Sequence, residues 1–113
     1  MTTTLTAERM LWGLCVRAHA QATLSGFHDV PRDPAISIAL IHSELSELLE
    51  SLRDDGAGMS AKCPDISACE EEAADVLIRL ADLCADMGWD LGRAVESKMA
   101  HNATRPRKHG RAF

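Results

Sequence analysis

Two pairs of carboxylates stand at helical spacing in the middle of the chain. Glu44 and Glu47 are three residues apart, and so are Glu72 and Asp75. This separation places both members of a pair on one face of a helix, with Cβ atoms about 5–6 Å apart. If the two helices pack antiparallel with these faces together, four carboxylates meet, and a hard divalent cation relieves their repulsion. An all-oxygen ligand set favours Mg²⁺, with Mn²⁺ as an alternative.

A simpler interpretation is that these acids lie on exposed helix faces, because Glu favours helices and Glu-x-x-Glu recurs by chance. The residues beside both pairs are apolar, however, which predicts that the carboxylates border a core: Leu45, Leu48, Ala73 and Val76. Asp82 follows Asp75 by two helical turns. It is either a supporting group for the site or an ion-pair partner of Arg79.

A second group of polar residues precedes the C-terminus. Lys98, Asn102 and Arg105 are separated by four and three residues, so they form a ridge on one helix face and its exit. Two cations and an amide suit phosphate oxygens. The alternative is that the two cations stabilise the helix C-terminus through its dipole.

Charge is unevenly distributed along the chain. The net charge is −5, yet residues 98–113 hold five basic residues and no acid, so residues 1–97 carry −10. An acidic body repels a phosphate backbone, so nucleic acid ranks last among the possible partners. The aromatic content of 4% also argues against binding of single strands by base stacking.

The hydrophobic pattern predicts an all-α fold. Four helices are expected at about residues 6–24, 34–53, 67–87 and 90–103, followed by an extended basic tail over residues 104–113. Local signals mark the helix ends: a proline after Asp33 and a capping box from Ser67 to Glu70 indicate helix starts, and Gly88 indicates a helix end. At 113 residues, the chain is expected to form a single domain, residues 1–113.

The second and third predicted helices are apolar on more than one side. Besides the main apolar stripes, which should be buried, five residues point elsewhere: Ile36, Leu40, Leu49, Ile78 and Leu83. A helix with a wide apolar surface needs more than one neighbour, and one small bundle supplies only part of that cover. We therefore expect an obligate homo-oligomer.

Other features narrow the class of protein. No apolar run approaches the roughly 20 residues of a membrane span. The first residues lack the pattern of a signal peptide, so a cytoplasmic location is expected. The four cysteines include no Cys-x-x-Cys, which disfavours a cysteine zinc site, and Cys15 and Cys84 are expected in the core.

Three segments of the chain together form a more specific pattern. They are Ser43-Glu44-Leu-Ser-Glu47, then Glu71-Glu72-Ala-Ala-Asp75-Val-Leu-Ile, and Lys98-Met-Ala-His-Asn102-Ala-Thr-Arg105-Pro106 with His109-Gly110. Residues 38–113 thereby resemble the MazG-like branch of the all-α nucleoside triphosphate pyrophosphohydrolases. The family signature is Glu-Glu-x-x-Glu, a spacer and Glu-x-x-Asp, so Ser43 departs from it at the first acid.

The resemblance implies a four-helix MazG-like bundle that assembles as a homodimer or a dimer of dimers. It also implies Mg²⁺-dependent hydrolysis of a (d)NTP to (d)NMP and pyrophosphate, as in nucleotide-pool cleaning. The implied metal ligands are Glu44, Glu47, Glu72 and Asp75, with Glu44 or Glu47 as the general base. Lys98, Asn102 and Arg105 would stabilise the pyrophosphate leaving group, and the basic tail could come from the neighbouring subunit.

Recognition of the base and sugar is expected from the first helix and the following turn. The candidates are Trp12, His19, Phe27 and His28. For Trp12 and Phe27 the favoured alternative is packing in the core, because rare aromatic side chains usually pack inside.

Three other functions are alternatives for the same sequence. A phosphoribosyl-ATP pyrophosphohydrolase shares the carboxylates and stays open. A non-catalytic helical regulatory or interaction protein would not need the four acids with Lys98 and Asn102. A di-iron bundle needs Glu-x-x-His on two helices, and neither carboxylate pair has a histidine at that spacing.

Overall fold

The computed structural model describes residues 6–54 and 58–112 and is all-helical. Its elements are α1 (Ala7–Leu24), α2 (Pro34–Arg53), α3 (Ala68–Met87) and α4 (Leu91–Ala103), followed by a 3₁₀ helix, Arg107–Gly110. The predicted all-α class and its four helices are confirmed. Residues 55–57, which follow α2, lie outside the described residues, as does the side chain of His109.

The helix ends form where local chemistry predicts them. Asp33 accepts a hydrogen bond from the Ala35 amide at 2.9 Å, with proline at the first helical position of α2. Ser67 and Glu70 form a reciprocal capping box at the start of α3, both bonds being 3.0 Å. Gly88 ends α3 in the left-handed region at φ 72°, where a side chain would be strained.

Helix α3 is the central element of the bundle. It packs against both α1 and α2, and α4 packs against α1. The approach of α4 depends on Gly92, because a Cβ there would lie 2.8 Å from the Cα of Glu8 on the facing backbone. This contact fixes the start of α4 against the start of α1.

The core is small and built from short side chains. Its buried residues include Cys15 and Ala18 from α1 and Ala81 and Cys84 from α3. The expectation that both cysteines lie in the core is confirmed, and burial raises the pKa of both thiols. These contacts join α1 to α3 and leave α2 outside the central cluster.

Burial of the large apolar residues differs from the sequence expectation in several places. Leu83, which was expected off the main stripe, is buried. Several residues of the expected stripes are exposed instead, among them Ile38, Leu45, Leu52 and Leu77. The expectation of core packing for Trp12 and Phe27 is also wrong, because they are 62% and 55% exposed. One chain has too few elements to cover these side chains.

The basic tail is also not fully extended. Residues Arg107–Gly110 form a turn of 3₁₀ helix, with Lys108 at φ 55°. The Nζ of Lys108 donates to the carbonyl of Ala112 at 3.2 Å. This short local bond competes with the extended conformation that the proline-containing sequence favours.

The surface of the chain is larger than a compact monomer requires. Its accessible surface is 8603 Å², whereas a folded monomer of this mass exposes about 6100 Å². Its radius of gyration is 16.6 Å, against about 13 Å for a compact domain of this length. None of the helices in the described residues combines the length and apolar character of a membrane-spanning segment.

Candidate metal and phosphate site

Helices α2 and α3 bring the two carboxylate pairs together. Oxygen atoms of Glu44, Glu47 and Glu72 lie within 4.8 Å of one another, and so do oxygens of Glu71, Glu72 and Asp75. Glu47 of α2 faces Glu72 of α3. Glu44, one turn earlier in α2, faces Asp75 and accepts a hydrogen bond from Arg79, and both of these residues come later in α3 than Glu72. The residue numbers therefore rise in opposite directions, and the two helices are antiparallel as the spacing argument requires.

Burial and mutual repulsion make this cluster unfavourable without a cation. Glu44 is 9% exposed, and in the described part of the chain its Oε2 and the Oε2 of Glu72 are buried without a hydrogen-bond partner. Burial, followed by the contact with Glu47, raises the pKa of Glu72 from 4.5 to about 6. Burial and the charge of Glu44 also raise the pKa of Asp75. Two orphaned acceptor atoms among four acids fit a hard cation, which is the partner that such oxygens lack.

One cation already contacts the cluster. The Nε of Arg79 donates to Oε1 of Glu44 at 2.7 Å. The alternative pairing of Arg79 with Asp82, left open by the sequence, is not formed in the structure, because Asp82 accepts instead from His19 and His28. Arg79 therefore neutralises one carboxylate of the four while the other oxygen of Glu44 stays unpaired.

The loop before α3 brings a second cation to the site. Ser60 is 4% exposed and its hydroxyl donates a short hydrogen bond to Glu71. The same hydroxyl accepts from the amide of Cys63 at 3.0 Å, which folds the loop over the start of α3. Lys62 lies in this turn, and its charge opposes the rise in the pKa of Asp75.

Three acids of the carboxylate cluster line an open groove of about 430 Å³. Its charged lining combines these acids and Asp82 with three cations: Glu44, Glu47, Asp75, Asp82, Arg32, Lys62 and Arg79. Phe27 also lines the groove, with the guanidinium carbon of Arg32 5.9 Å from its ring centroid. Acids that hold a metal beside cations that hold phosphates are the chemistry that a metal–polyphosphate complex needs.

The predicted ridge lies elsewhere in the protomer. Lys98 is exposed on α4, which packs against α1, and neither it nor Asn102 nor Arg105 lines the groove. The Oδ1 of Asn102 is buried without a partner in the described part of the chain. A single chain therefore does not assemble the ridge with the carboxylates.

The predicted base-recognition residues are also divided. Trp12 lines a separate apolar cavity of about 240 Å³ together with Trp89. His28 is hydrogen-bonded to Asp82 at 2.8 Å, and the ring of His19 lies 4.6 Å from that of His28. Of these candidates, Phe27 alone is a lining residue of the carboxylate groove.

Sequence reasoning missed several residues of the groove. Arg79 is four positions after Asp75, so its presence on the carboxylate face could have been read from helical spacing. Glu71 has no predicted role within the motif that contains it, whereas in the structure it accepts a hydrogen bond from buried Ser60 beside the groove. Lys62 lies in a loop, where no periodicity indicates the direction of a side chain.

No family model, curated protein or solved structure matches the chain.

Proposed function

We propose that the chain is a Mg²⁺-dependent nucleoside triphosphate pyrophosphohydrolase of the MazG-like kind. The reaction is hydrolysis of a (d)NTP at the α-phosphorus to (d)NMP and pyrophosphate. One observation carries this proposal: the carboxylate cluster holds two buried, unpaired oxygens, and three of its acids, Glu44, Glu47 and Asp75, line a groove with three cationic side chains. A scaffold that only binds a protein partner has no need for such an arrangement.

The carboxylate cluster is the proposed metal site. Its ligands would be Glu44, Glu47, Glu72 and Asp75, an all-oxygen set that suits Mg²⁺ and accepts Mn²⁺. When bound, the ion would neutralise triphosphate charge and lower the pKa of the attacking water.

The other chemical roles are assigned from exposure and pairing. Glu47 is exposed at the groove, so its carboxylate can accept a proton from water. Glu44, the second candidate for this role, is buried and held by Arg79. Lys62 and Arg79 would balance the charge that develops on the departing pyrophosphate.

We also propose that the working form contains at least two copies of the chain. The surface exceeds that of a compact monomer by about 2500 Å², which is the range that one partner buries in an obligate interface. Helix α2 packs mainly against α3 and exposes a set of large apolar side chains: Ile36, Ile38, Leu45, Leu49 and Leu52. A dimer or dimer of dimers would cover this face and would allow Lys98, Asn102 and Arg105 of one protomer to reach the carboxylates of another.

Product analysis tests the reaction. With Mg²⁺ and a panel of nucleoside triphosphates, we expect equal amounts of monophosphate and pyrophosphate. Orthophosphate with a nucleoside diphosphate would contradict attack at the α-phosphorus. Turnover of phosphoribosyl-ATP alone would favour the second enzyme class, and no turnover of any substrate would favour the non-catalytic alternative.

Carboxamide variants test the site. Glu47→Gln and Asp75→Asn should lower turnover by about 10²-fold or more while the far-ultraviolet circular dichroism stays unchanged, because shape is kept and a ligand or base is lost. Glu50→Gln is the matched control, since Glu50 is an exposed acid of α2, three residues after Glu47. Equal activity in all three variants would exclude the carboxylate cluster as the active site.

A further inference from the structure

A second polar cluster lies where α1 and the turn after it meet α3. Asp82 and Asp86 are four residues apart on α3 and face two histidines, His19 from α1 and His28 from the turn. The Oδ1 of Asp82 is 3.0 Å from Nδ1 of His19 and 2.8 Å from Nε2 of His28. None of these four residues belongs to the proposed magnesium ligands.

The hydrogen bonds to Asp82 fix the orientation of both imidazoles. An ionised carboxylate only accepts, so the ring nitrogen that faces it carries the proton. This leaves Nε2 of His19 and Nδ1 of His28 with their lone pairs. The Nδ1 of His28 lies 3.7 Å from Oδ1 of Asp86, and one nitrogen of each histidine and one oxygen of Asp86 lie within 4.8 Å of one another.

We propose that His19, His28 and Asp86 form a binding site for a transition-metal ion, with Zn²⁺ as the expected occupant. Two imidazoles and one carboxylate are ligands that zinc accepts, and three protein ligands leave a fourth position open. Metal-binding histidines almost always donate their second ring nitrogen to a carboxylate, a backbone carbonyl or water, and Asp82 would be that acceptor for both rings.

The surroundings of the cluster are compatible with a dication. Arg32 and Arg79 line the adjoining cavity with His28, Asp82 and Asp86. The Nε of Arg79 donates to Glu44 at 2.7 Å, and the guanidinium carbon of Arg32 lies 5.9 Å from the ring centroid of Phe27, so both arginines have partners other than the two aspartates. The imidazoles also separate this site from the carboxylate cluster chemically, because Mg²⁺ prefers oxygen ligands. A bound metal would fasten the turn after α1 to α3.

Zinc titration by calorimetry in excess Mg²⁺ tests the proposal, since Mg²⁺ occupies the all-oxygen cluster. We expect one zinc per chain in the wild type, and a loss of at least about 100-fold in affinity for His28→Ala and Asp86→Asn. Asp82→Asn should weaken binding about 10–100-fold, because it removes only the outer support. His101→Ala is the control, since His101 is exposed on α4. The affinity of Glu47→Gln should equal that of the wild type, which separates this site from the proposed active site.

Cobalt absorption identifies the ligands independently. Co²⁺ should give the intense visible bands of a tetrahedral nitrogen and oxygen site, and these bands should disappear in Asp86→Asn, a mild change at a half-exposed side chain. Absence of zinc binding, or unchanged zinc affinity in both His28→Ala and Asp86→Asn, would refute the site. The cluster would then serve only to hold the turn after α1 against α3 by hydrogen bonds. A thiolate-to-cobalt charge-transfer band would show that a cysteine binds the metal, which would also refute the proposed histidine and aspartate site.

Discussion

Arg79 on α3 donates from Nε to Oε1 of Glu44 on α2 at 2.7 Å, while Oε2 of the same carboxylate is buried without a partner. The arginine thus supplies part of the positive charge that the cluster requires in the metal-free protein. A bound dication would share this task, so the pair should matter most when Mg²⁺ is absent.

Replacing the arginine tests this relationship. Arg79→Gln should lower the free energy of unfolding of the metal-free protein by about 1–2 kcal/mol, because a buried carboxylate loses its counter-charge. The figure is at the low end for such a loss because the Arg79 side chain is 39% exposed and water screens it. Urea unfolding with EDTA and with Mg²⁺ measures the effect, and Mg²⁺ should reduce the deficit. Arg93→Gln, at an exposed arginine of α4, is the control. A deficit that Mg²⁺ leaves unchanged would show that the ion does not bind beside Glu44.

Lys62 provides a test of which cations hold the phosphates. Because it lines the carboxylate groove, Lys62→Ala should lower kcat/KM by about 10²-fold with little change in stability. Lys62→Arg should restore part of the activity, since the positive charge is kept. Steady-state kinetics measure both, with Arg17→Ala on the exposed face of α1 as the control. If Lys62→Ala matches the wild type, the phosphates lie away from the loop over α3.

The fold and the carboxylate cluster were predictable because their signals are local. Caps such as Asp33, the Ser67–Glu70 box and Gly88 act within a few residues, so the helix bounds follow from the sequence. The spacing of three within each acidic pair fixes a shared helix face in the same way. Only the packing of α2 on α3 had to be assumed.

The remaining features depend on contacts between residues distant in sequence. Lys62 reaches the groove because buried Ser60 donates a hydrogen bond to Glu71, eleven positions later. No periodic pattern in the sequence predicts this contact. The pairing of Asp82 with His28 spans 54 positions, so helical spacing could not choose between the two roles left open for Asp82. Burial was predicted least well, since α2 has only α3 as its main neighbour and its apolar stripe stays open in one chain.

The raised pKa of Glu72 predicts a pH dependence of stability. Its pKa is about 6 in the folded chain and ordinarily 4.5, so the folded state binds more protons than the unfolded state between these values. Stability of the metal-free protein should therefore fall as the pH rises through this window. Urea unfolding below pH 4.5 and above pH 6 measures the difference.

Two comparisons isolate the contribution of this carboxyl. Glu72→Gln cannot ionise, so the decrease in stability from below pH 4.5 to above pH 6 should be smaller than in the wild type. Mg²⁺ competes with the proton, so its affinity for the wild type should rise through pH 6. The same pH profile in Glu72→Gln and the wild type would show that another group titrates in this window.

The large exposed surface of α2 predicts that the chain self-associates. Light scattering should give a mass of at least two chains, and Leu49→Lys should shift the protein towards one chain, because it places a charge on the apolar face. Val30→Lys is the control, since Val30 is 76% exposed in the turn after α1 and lies outside that face. A monomeric wild type would contradict both the surface argument and the predicted obligate oligomer.

Mixing two inactive variants asks whether the ridge of one protomer completes the site of another. Glu47→Gln lacks a working carboxylate cluster, and Arg105→Ala lacks part of the ridge, so each homodimer should be inactive. In a mixed dimer, one site combines the intact carboxylates of one protomer with the intact ridge of its partner. Random exchange should therefore restore about a quarter of wild-type turnover, because half of the dimers are mixed and each has one intact site. Activity that never exceeds that of the separate variants would place the ridge and the carboxylates in independent roles, with Lys62 and Arg79 as the remaining cations for the phosphates.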